Sequence, residues 1–256
     1  MSDHSTGSPV VLEGRVSIEA ALEGGVRPVH EILSTNPGDR RLAHLRAAAA
    51  AHGVPIRRIS QEEVASLATG RSHGGTLAIA GARRYLEMDE LLARLGPQPF
   101  VVMLDGLEDP FNLGQAIRSL FAAGTDGLVV RARSWENAAG AVARASAGAS
   151  EVIPTATVDG PREAADACRR RGLQIACAAS RPDAIPLHSA DLTRPTFLLI
   201  GGERRGITRS FVDDADVRLR IPYGRRGAHA LGAAAATAVI AFEALRQRSV
   251  AASRPA

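Results

Sequence analysis

Residues 100–118 read FVVMLDGLEDPFNLGQAIR, an apolar run that gives way to a polar turn and then to a helical pattern. Such an unbroken apolar run is typical of a parallel strand that is buried on both faces. Comparable runs recur as far as residues 217–221, and helical stretches separate them. This alternation predicts an α/β domain with a parallel sheet covered on both faces. Because ligands of such sheets bind beyond the carboxyl ends of the strands, functional residues are expected after Leu104, Ile200 and Ile221.

The residues before this sheet predict a second, smaller domain. From Val10 to Gly81, helical stretches alternate with short β-like ones, which indicates a compact α/β domain. The segment that follows is charged and ends in a Gly-Pro breaker, as is typical of a short linker helix. The predicted division is 1–82 for the small domain, 83–98 for the linker and 99–256 for the parallel-sheet domain. Within the last domain, the pattern predicts a helix over 136–147 and a strand over 152–154.

Composition limits the classes of protein to which the chain can belong. It has 256 residues and a net charge of +4, and all 31 of its Lys and Arg residues are Arg. Arg suits bidentate contacts with phosphate, so a polyanionic partner is compatible with this composition, although codon bias in a GC-rich genome would produce it equally. No apolar run reaches the roughly 18 to 20 residues that cross a bilayer, and the polar start lacks a secretory signal. Cys168 and Cys177 show no metal-ligand spacing. We therefore expect a cytoplasmic protein without a membrane span, a disulfide or a metal.

The first candidate motif follows the first apolar run and contains Asp109, Asn112 and Arg118. If the helix begins near Leu113, Asn112 caps it and Arg118 projects from its second turn. Taken alone, the pattern is equally that of an ordinary helix cap followed by a surface charge.

Two further motifs follow later strands. Residues 197–207 read FLLIGGERRGI, in which Gly201 and Gly202 let a ligand approach the backbone closely and Glu203 is positioned to be held by a cation. Residues 219–234 read LRIPYGRRGAHALGAA, which indicates a strand, a glycine-flanked loop and the start of a helix. Either of these two could by itself be only a connection.

In this order and at these strand ends, the three motifs resemble those of the SpoU (TrmH-like) RNA 2'-O-methyltransferases of the SPOUT superfamily. The resemblance covers nearly the whole chain: residues 13–22 and 72–75 look like the beginning and end of the family's L30e-like substrate-binding domain, and residues 145–149 agree as well. It implies a deep trefoil knot in the C-terminal domain and S-adenosylmethionine as the cofactor. It also implies RNA as the substrate and a homodimer formed through the C-terminal domain.

The resemblance further implies roles for individual residues. The catalytic residues that it implies are Arg118, Asn112 and Glu203. The cofactor-binding residues that it implies are Gly201, Gly202, Ile221, Leu231 and Ala178, and the RNA contacts are Arg15, His73 and Arg118. A guanidinium with a pKa above about 12 is a poor base. A grip on the neighbouring phosphate and stabilisation of a developing alkoxide therefore suit Arg118 better than removal of a proton.

The third motif departs from the family pattern. Most members read Ser-Leu-Asn where this chain has Ala230, Leu231 and Gly232, so a hydroxyl and an amide beside the cofactor are missing. Either His229 or Asn112 replaces these contacts, or catalysis has been lost. Two functions therefore stay open: an active methyltransferase of ribosomal or transfer RNA, and a catalytically silent RNA-binding protein.

The N-terminal domain also departs from its relatives, with Val16 where Asn is common and Gly74 where Gln is frequent. These differences leave open which RNA is recognised. A nucleotide-binding oxidoreductase is disfavoured, because no Gly-x-Gly-x-x-Gly follows the first strand of either domain.

Overall fold

A computed structural model describes residues 9–132, 138–202, 204–225 and 230–253. These residues form two compact units: the first unit comprises 9–84 and 138–152, and the second unit comprises the rest. In chain order, the strands are β1 (Val10–Glu13), β2 (Val29–Ser34), β3 (Ile56–Arg58), β4 (Thr76–Ala80), β5 (Phe100–Asp105), β6 (Gly127–Arg131), β7 (Thr155–Val158), β8 (Gln174–Ala178), β9 (Ile185–Pro186), β10 (Thr196–Gly201) and β11 (Val217–Arg220). The α-helices are α1 (Arg15–Gly24), α2 (Ala43–Ala51), α3 (Gln61–Leu67), α4 (Met88–Ala93), α5 (Pro110–Ala122), α6 (Ala139–Ala145), α7 (Ala149–Val152), α8 (Pro161–Arg170), α9 (Arg209–Asp214) and α10 (Ala233–Ala252). Short 3-10 helices cover Arg40–Leu42 and Leu187–Ser189.

The first unit is built on a four-stranded sheet with the order β1-β4-β2-β3. Strand β3 runs parallel to β2, and the other neighbours are antiparallel. Leu12, Ile18 and Ile32 belong to its buried core, and Ala139 and Ala143 of α6 pack into the same cluster. Helix α6 is therefore part of this unit, although it lies far from the rest of the unit in the sequence.

Two ion pairs also join residues 138–152 to the first unit. Arg144 contacts Glu13, whose side chain is 1% exposed. Arg27 Nε donates to Glu151 Oε2 at 2.7 Å, and these side chains are 3% and 1% exposed. Because a charge that loses its partner in such surroundings is costly, these pairs fix α6 and α7 against the first sheet.

The second unit contains a seven-stranded sheet with the order β7-β6-β5-β10-β8-β11-β9. Every neighbouring pair in it is parallel. This arrangement confirms the prediction of an α/β fold with a parallel sheet. Leu91 and Leu92 of α4 are buried in the same apolar cluster as Val101 and Phe197, so part of the segment expected to be a linker helix packs into this core. The predicted domain boundaries themselves stay a prediction.

The prediction for residues 136–154 was wrong in its details. The structure describes residues 138–147 of the predicted helix, and among these α6 is the α-helix. It ends at Ala145 because Ala147 and Gly148 adopt left-handed backbone with φ of 50° and 83°. Residues 152–154 are not a strand, because Val152 is the last residue of α7 and β7 begins only at Thr155. Among the helices described, none has both the length and the apolar character that crossing a bilayer requires.

Candidate functional site

The three motif loops leave the second sheet at the same edge. Strand β5 pairs with β10, β10 with β8 and β8 with β11, all in parallel. Parallel strands present their carboxyl ends on one side, so the segments after β5, β10 and β11 begin there together. The register aligns Asp105 of the first motif with Gly201 of the second.

The first and second motif loops touch through their backbones. The Gly202 N–H donates to the Asp105 carbonyl at 2.6 Å. A Cβ atom on Gly202 would lie 1.9 Å from the Gly106 carbonyl oxygen, which no side chain can tolerate. Gly106 itself has a φ of 82°, a conformation that favours glycine. Gly202 therefore allows the two loops to run side by side at a distance that a side chain at this position would prevent.

Helix α5 positions the polar residues of the first motif, and it starts earlier than expected. Its cap is Asp109, whose Oδ2 accepts the Asn112 N–H at 2.8 Å, and Pro110 takes the first helical position. The prediction that Asn112 caps this helix was wrong, because Pro110 favours the first turn and leaves the cap to the residue before it. Arg118 consequently lies in the third turn rather than the second.

Asn112 and Arg118 have different surroundings. Asn112 is half-buried and lines a cavity of about 190 Å³ with Gly106, Arg204 and Ala233. Ala233 is the first residue of α10, so this cavity brings together the first motif, the second motif loop and the end of the third. Arg118 is exposed, and within the described part of the chain it has neither a hydrogen bond nor an ion pair.

An ion pair that the sequence motifs did not indicate lies at the same edge. Arg131, the last residue of β6, donates from Nη2 to Asp105 Oδ2 at 3.0 Å, and its Nε contacts the other carboxylate oxygen. The Asp105 hydrogen bond raises the pKa of Arg131 above its usual value. The Asp105 carboxylate is therefore engaged by a cation and is poorly placed to act as a base. Only the position of each residue at a strand end could have suggested the pair.

The residues expected to bind the cofactor lie around the ends of β8, β10 and β11. Ala178 ends β8 and lines a cavity of about 340 Å³ with Gly206 and Ile207. Gly201 ends β10, and Ile221 follows β11 and is half-buried. Leu231 is 41% exposed, and its N–H donates to the Tyr223 hydroxyl at 3.2 Å. Glu203 and His229 lie outside the described residues.

The first unit brings together the other two residues expected to contact RNA. Arg15 begins α1, and His73 lies in the loop before β4; both line one cleft of about 590 Å³. Arg15 Nη1 donates to Glu19 Oε2 at 2.8 Å, and His73 Nδ1 accepts the Gly75 N–H at 3.1 Å. Arg118, the third predicted RNA contact, belongs to the second unit.

Both parts of the chain match models of known families. Residues 99–242 match the SpoU rRNA Methylase family, and residues 11–86 match the model described as RNA 2'-O ribose methyltransferase substrate binding. The chain is 31% identical over 236 residues to the 23S rRNA (guanosine-2'-O-)-methyltransferase RlmB of Pseudomonas syringae pv. tomato, which covers 91% of this chain and 94% of the relative. The corresponding protein of Ralstonia nicotianae is 31% identical over 242 residues, covering 94% and 96%.

Solved structures agree at the level of the fold. The SpoU methyltransferase AviRb from Streptomyces viridochromogenes superposes with a TM-score of 0.79 at 24% identity, covering 95% of this chain and 91% of that one. Its complex with the cofactor AdoMet superposes with a TM-score of 0.77 at 23% identity, covering 94% and 90%. Because a family model matches more than half of the chain and relatives at 31% identity cover nearly all of it, the chain belongs to the SpoU rRNA methylase family.

Proposed function

We propose that this chain transfers a methyl group from S-adenosylmethionine to a ribose 2'-hydroxyl of structured RNA. The observation that carries this proposal is the meeting of three motif loops at one edge of a parallel sheet, where Asn112 lines a cavity that reaches the start of α10. The relatives named above are 23S rRNA (guanosine-2'-O-)-methyltransferases, so ribosomal RNA is the first substrate to test, before transfer RNA. The reaction takes place in the cytoplasm and uses no metal.

The carboxyl edge of the sheet suits S-adenosylmethionine. The cavity at Ala178 has a volume of about 340 Å³ and is bordered by Gly206 and Ile207 of the second motif loop. The residues that would hold the cofactor are Gly201, Gly202, Ile221, Leu231 and Ala178. When bound, the cofactor supplies an electrophilic methyl group on a sulfonium.

The catalytic role of Arg118 is inferred from its charge and from its exposure, with no partner among the described residues. A guanidinium offers N–H donors and no acceptor, so Arg118 is unsuited to taking the proton of the ribose hydroxyl. It grips the adjacent phosphate and stabilises the negative charge that develops on the oxygen. Asn112 lines the cavity and orients the ribose. Glu203 is the third catalytic residue that the family resemblance implies.

Arg118→Ala tests this role. Loss of a single group that stabilises the transition state should lower methyl transfer to ribosomal RNA by about 100-fold or more, while calorimetry should show little change in S-adenosylmethionine affinity. Arg162→Ala is the matched control, because Arg162 is also an exposed arginine on a helix of the second unit. An Arg118→Ala variant that methylates RNA as fast as Arg162→Ala would refute the assignment.

The second candidate function is a catalytically silent RNA-binding protein. It is favoured by Ala230 and Gly232, which offer neither the hydroxyl nor the amide that most of the family has there. Calorimetry of the intact chain with S-adenosylmethionine separates the two functions. Micromolar binding supports the enzyme, whereas a folded protein without detectable binding supports the silent one.

The finer architecture belongs to the same proposal. In sequence, residues 1–82 are an L30e-like RNA-binding domain, 83–98 a linker and 99–256 a SPOUT domain with a deep trefoil knot; residues 138–152 of the last range belong to the first compact unit. The two family-model matches, at 11–86 and 99–242, support this division. The knot is supported by the strand order, in which β8 lies between β10 and β11 although it precedes both in the sequence.

A second copy of the chain covers an exposed apolar stripe on α10. Ala235, Val239 and Phe242 recur at helical spacing on its solvent face, and Val239 and Phe242 are 41% and 48% exposed. Phe111 and Phe121 are exposed on α5, which packs against α10. Apolar side chains in such a row are typical of an interface rather than of a free surface. The proposed homodimer therefore forms through α5 and α10. Arg118 is also exposed on α5, the helix that contributes Phe111 and Phe121 to this interface.

A further inference from the structure

The cleft of the first unit has a size and a lining that suit one nucleotide. Its volume of about 590 Å³ lies within the range of about 300–1,000 Å³ that is typical of small-ligand sites. It opens between the start of α1, the 3-10 helix Arg40–Leu42 and the loop before β4. Its lining includes small polar residues, among them Ser17, Asn36 and Ser72. Such groups can match the donors and acceptors on the edge of a base.

The charges of the cleft are internally compensated. Each of its guanidiniums faces a carboxylate: Arg15 pairs with Glu19 at 2.8 Å, Arg41 with Asp39 at 2.7 Å, and Arg144 with Glu13. The hydrogen bond from Arg41 lowers the pKa of Asp39 to about 2, so this carboxylate stays charged at neutral pH. The cleft therefore lacks the excess of positive charge that a polyphosphate backbone requires.

The carboxylate of Glu13 also holds the start of the loop whose residues 72–75 border the cleft. It accepts the Thr69 N–H and hydroxyl, both at 2.7 Å, and the Gly70 N–H at 3.1 Å. Arg144 binds the same carboxylate and lines the cleft. One buried carboxylate therefore fixes the position of both the loop and a cleft guanidinium, so the cleft is preorganised.

His73 adds a directed donor to this lining. Its Nδ1 accepts the Gly75 N–H at 3.1 Å, which leaves Nε2 as the ring nitrogen that can donate. Val16 lies at the cleft as well and is 47% exposed, which gives an apolar surface against which a ring can pack. A single N–H donor beside an apolar contact matches the edge and the face of a base better than it matches a phosphate.

We propose that this cleft takes an unstacked nucleotide of the substrate RNA and recognises its base rather than its phosphates. The inference rests on the proposed function, since it assumes an RNA substrate. Sequence-specific RNA recognition commonly uses bases that are splayed out of loops and read on their edges. Phosphate contacts fall instead to arginines such as Arg118, which has no carboxylate partner in the described part of the chain.

The test uses the full chain and fluorescein-labelled RNA hairpins whose loops have random sequence. A second hairpin pool has the same stem and phosphates but abasic loop positions. Affinity is measured by anisotropy between about 50 and 200 mM salt, where each phosphate contact of a single strand contributes about 0.7 to the slope of log K against log salt. S-adenosylmethionine binding is measured on every variant, as an independent check that the chain is folded.

Two pairs of variants separate base recognition from phosphate contact. Val16→Trp places a large ring in the cleft, and Leu67→Trp is its control at an exposed position of the same unit outside the cleft. Asp39→Asn combined with Arg41→Gln removes a cleft ion pair without a change in net charge. Glu31→Gln combined with Arg57→Gln does the same at an ion pair outside the cleft.

We expect Val16→Trp to weaken binding of the intact pool at least tenfold and Leu67→Trp to leave it within twofold. The unsubstituted chain should bind the abasic pool as weakly as Val16→Trp binds the intact one, and both double variants should leave the salt slope unchanged. Three results would overturn the proposal. The first is equal affinity for the intact and abasic pools, including no binding of either, and the second is equal binding of the intact pool by Val16→Trp and Leu67→Trp. The third is a salt slope that falls by about 0.7 in the Asp39 and Arg41 double variant but not in the Glu31 and Arg57 double variant. A chain that shows base-dependent binding but transfers no methyl group would sink the proposed function and leave this inference standing.

Discussion

Neutralising Glu151 tests whether residues 138–152 complete the first unit. Glu151→Gln keeps the shape of the side chain but removes the charge that faces Arg27, which is only 3% exposed. The pair is bidentate, with 2.7 Å from Arg27 Nε to Glu151 Oε2 and 3.3 Å from Nη2 to Oε1. Removing one partner of a buried pair leaves the other charge uncompensated and costs about 3–5 kcal/mol. We expect a loss of this size in the free energy of unfolding of the first unit.

Hydrogen exchange of the β2 and β4 amides measures this loss within the first unit. Since about 1.4 kcal/mol corresponds to a factor of ten, exchange should accelerate by about two to nearly four orders of magnitude. The control is Glu31→Gln, which breaks an exposed pair with Arg57 and should cost about 1 kcal/mol or less. Arg27→Met combined with Glu151→Gln removes both charges, so its loss should be smaller than the sum of the two single losses. Equal exchange in Glu151→Gln and Glu31→Gln, or additive losses in the double variant, would refute the reasoning.

Three other perturbations follow from contacts in the second unit. Gly202→Ala should lower the free energy of unfolding, measured in urea, by about 3 kcal/mol or more, because its Cβ would lie 1.9 Å from a carbonyl oxygen. Gly96→Ala is the control and should be nearly neutral, because no atom lies within 4 Å of its Cβ. Phe242→Asp places a charge on the exposed stripe of α10 and should convert dimers to monomers in sedimentation experiments. Leu67→Asp, at an exposed position of the first unit, is the control and should leave the dimer intact. A Phe242→Asp variant that stays dimeric would count against this interface. The hydrogen bond from Arg246 lowers the pKa of Glu243 to about 2, so its stabilising effect is complete above the ordinary carboxyl pKa of about 4.3 and is lost as the pH falls towards 2. Melting temperatures over this range should fall less steeply for Glu243→Gln than for the unsubstituted chain, and identical slopes would contradict the coupling.

The parallel sheet was predictable because its strands are buried on both faces. Val101, Val102, Met103 and Leu104 are all nearly inaccessible to solvent, so they form an unbroken apolar run that no amphipathic element would contain. The gathering of the motif loops at one edge follows from the same parallel arrangement. These features are local in sequence or follow from general rules of α/β topology.

The features that were missed depend on long-range pairing or on competing local signals. Residues 152–154 looked like a strand because a short apolar run does not distinguish a strand from the end of a helix. Glu151 is buried only because it meets Arg27, which is 124 positions away in the sequence. At α5, both Asp109 and Asn112 could have capped the helix, and Pro110 decided between them. The compensated charges of the cleft were likewise invisible, because Glu13 and Arg144 lie 131 positions apart.

The division of the first unit between two stretches of sequence also constrains its biosynthesis. Residues 9–84 leave the ribosome before α6 and α7 have been made, so Glu13 and Arg27 at first have no guanidinium or carboxylate to meet. At a translation rate of about 5–20 residues per second, the roughly 50 intervening residues take about 3–10 s to add. During that interval the nascent domain carries two charges in positions that the finished protein shields from water. The fold of the first unit can therefore be completed only after residues 138–152 have been translated, although residues 9–84 are made first.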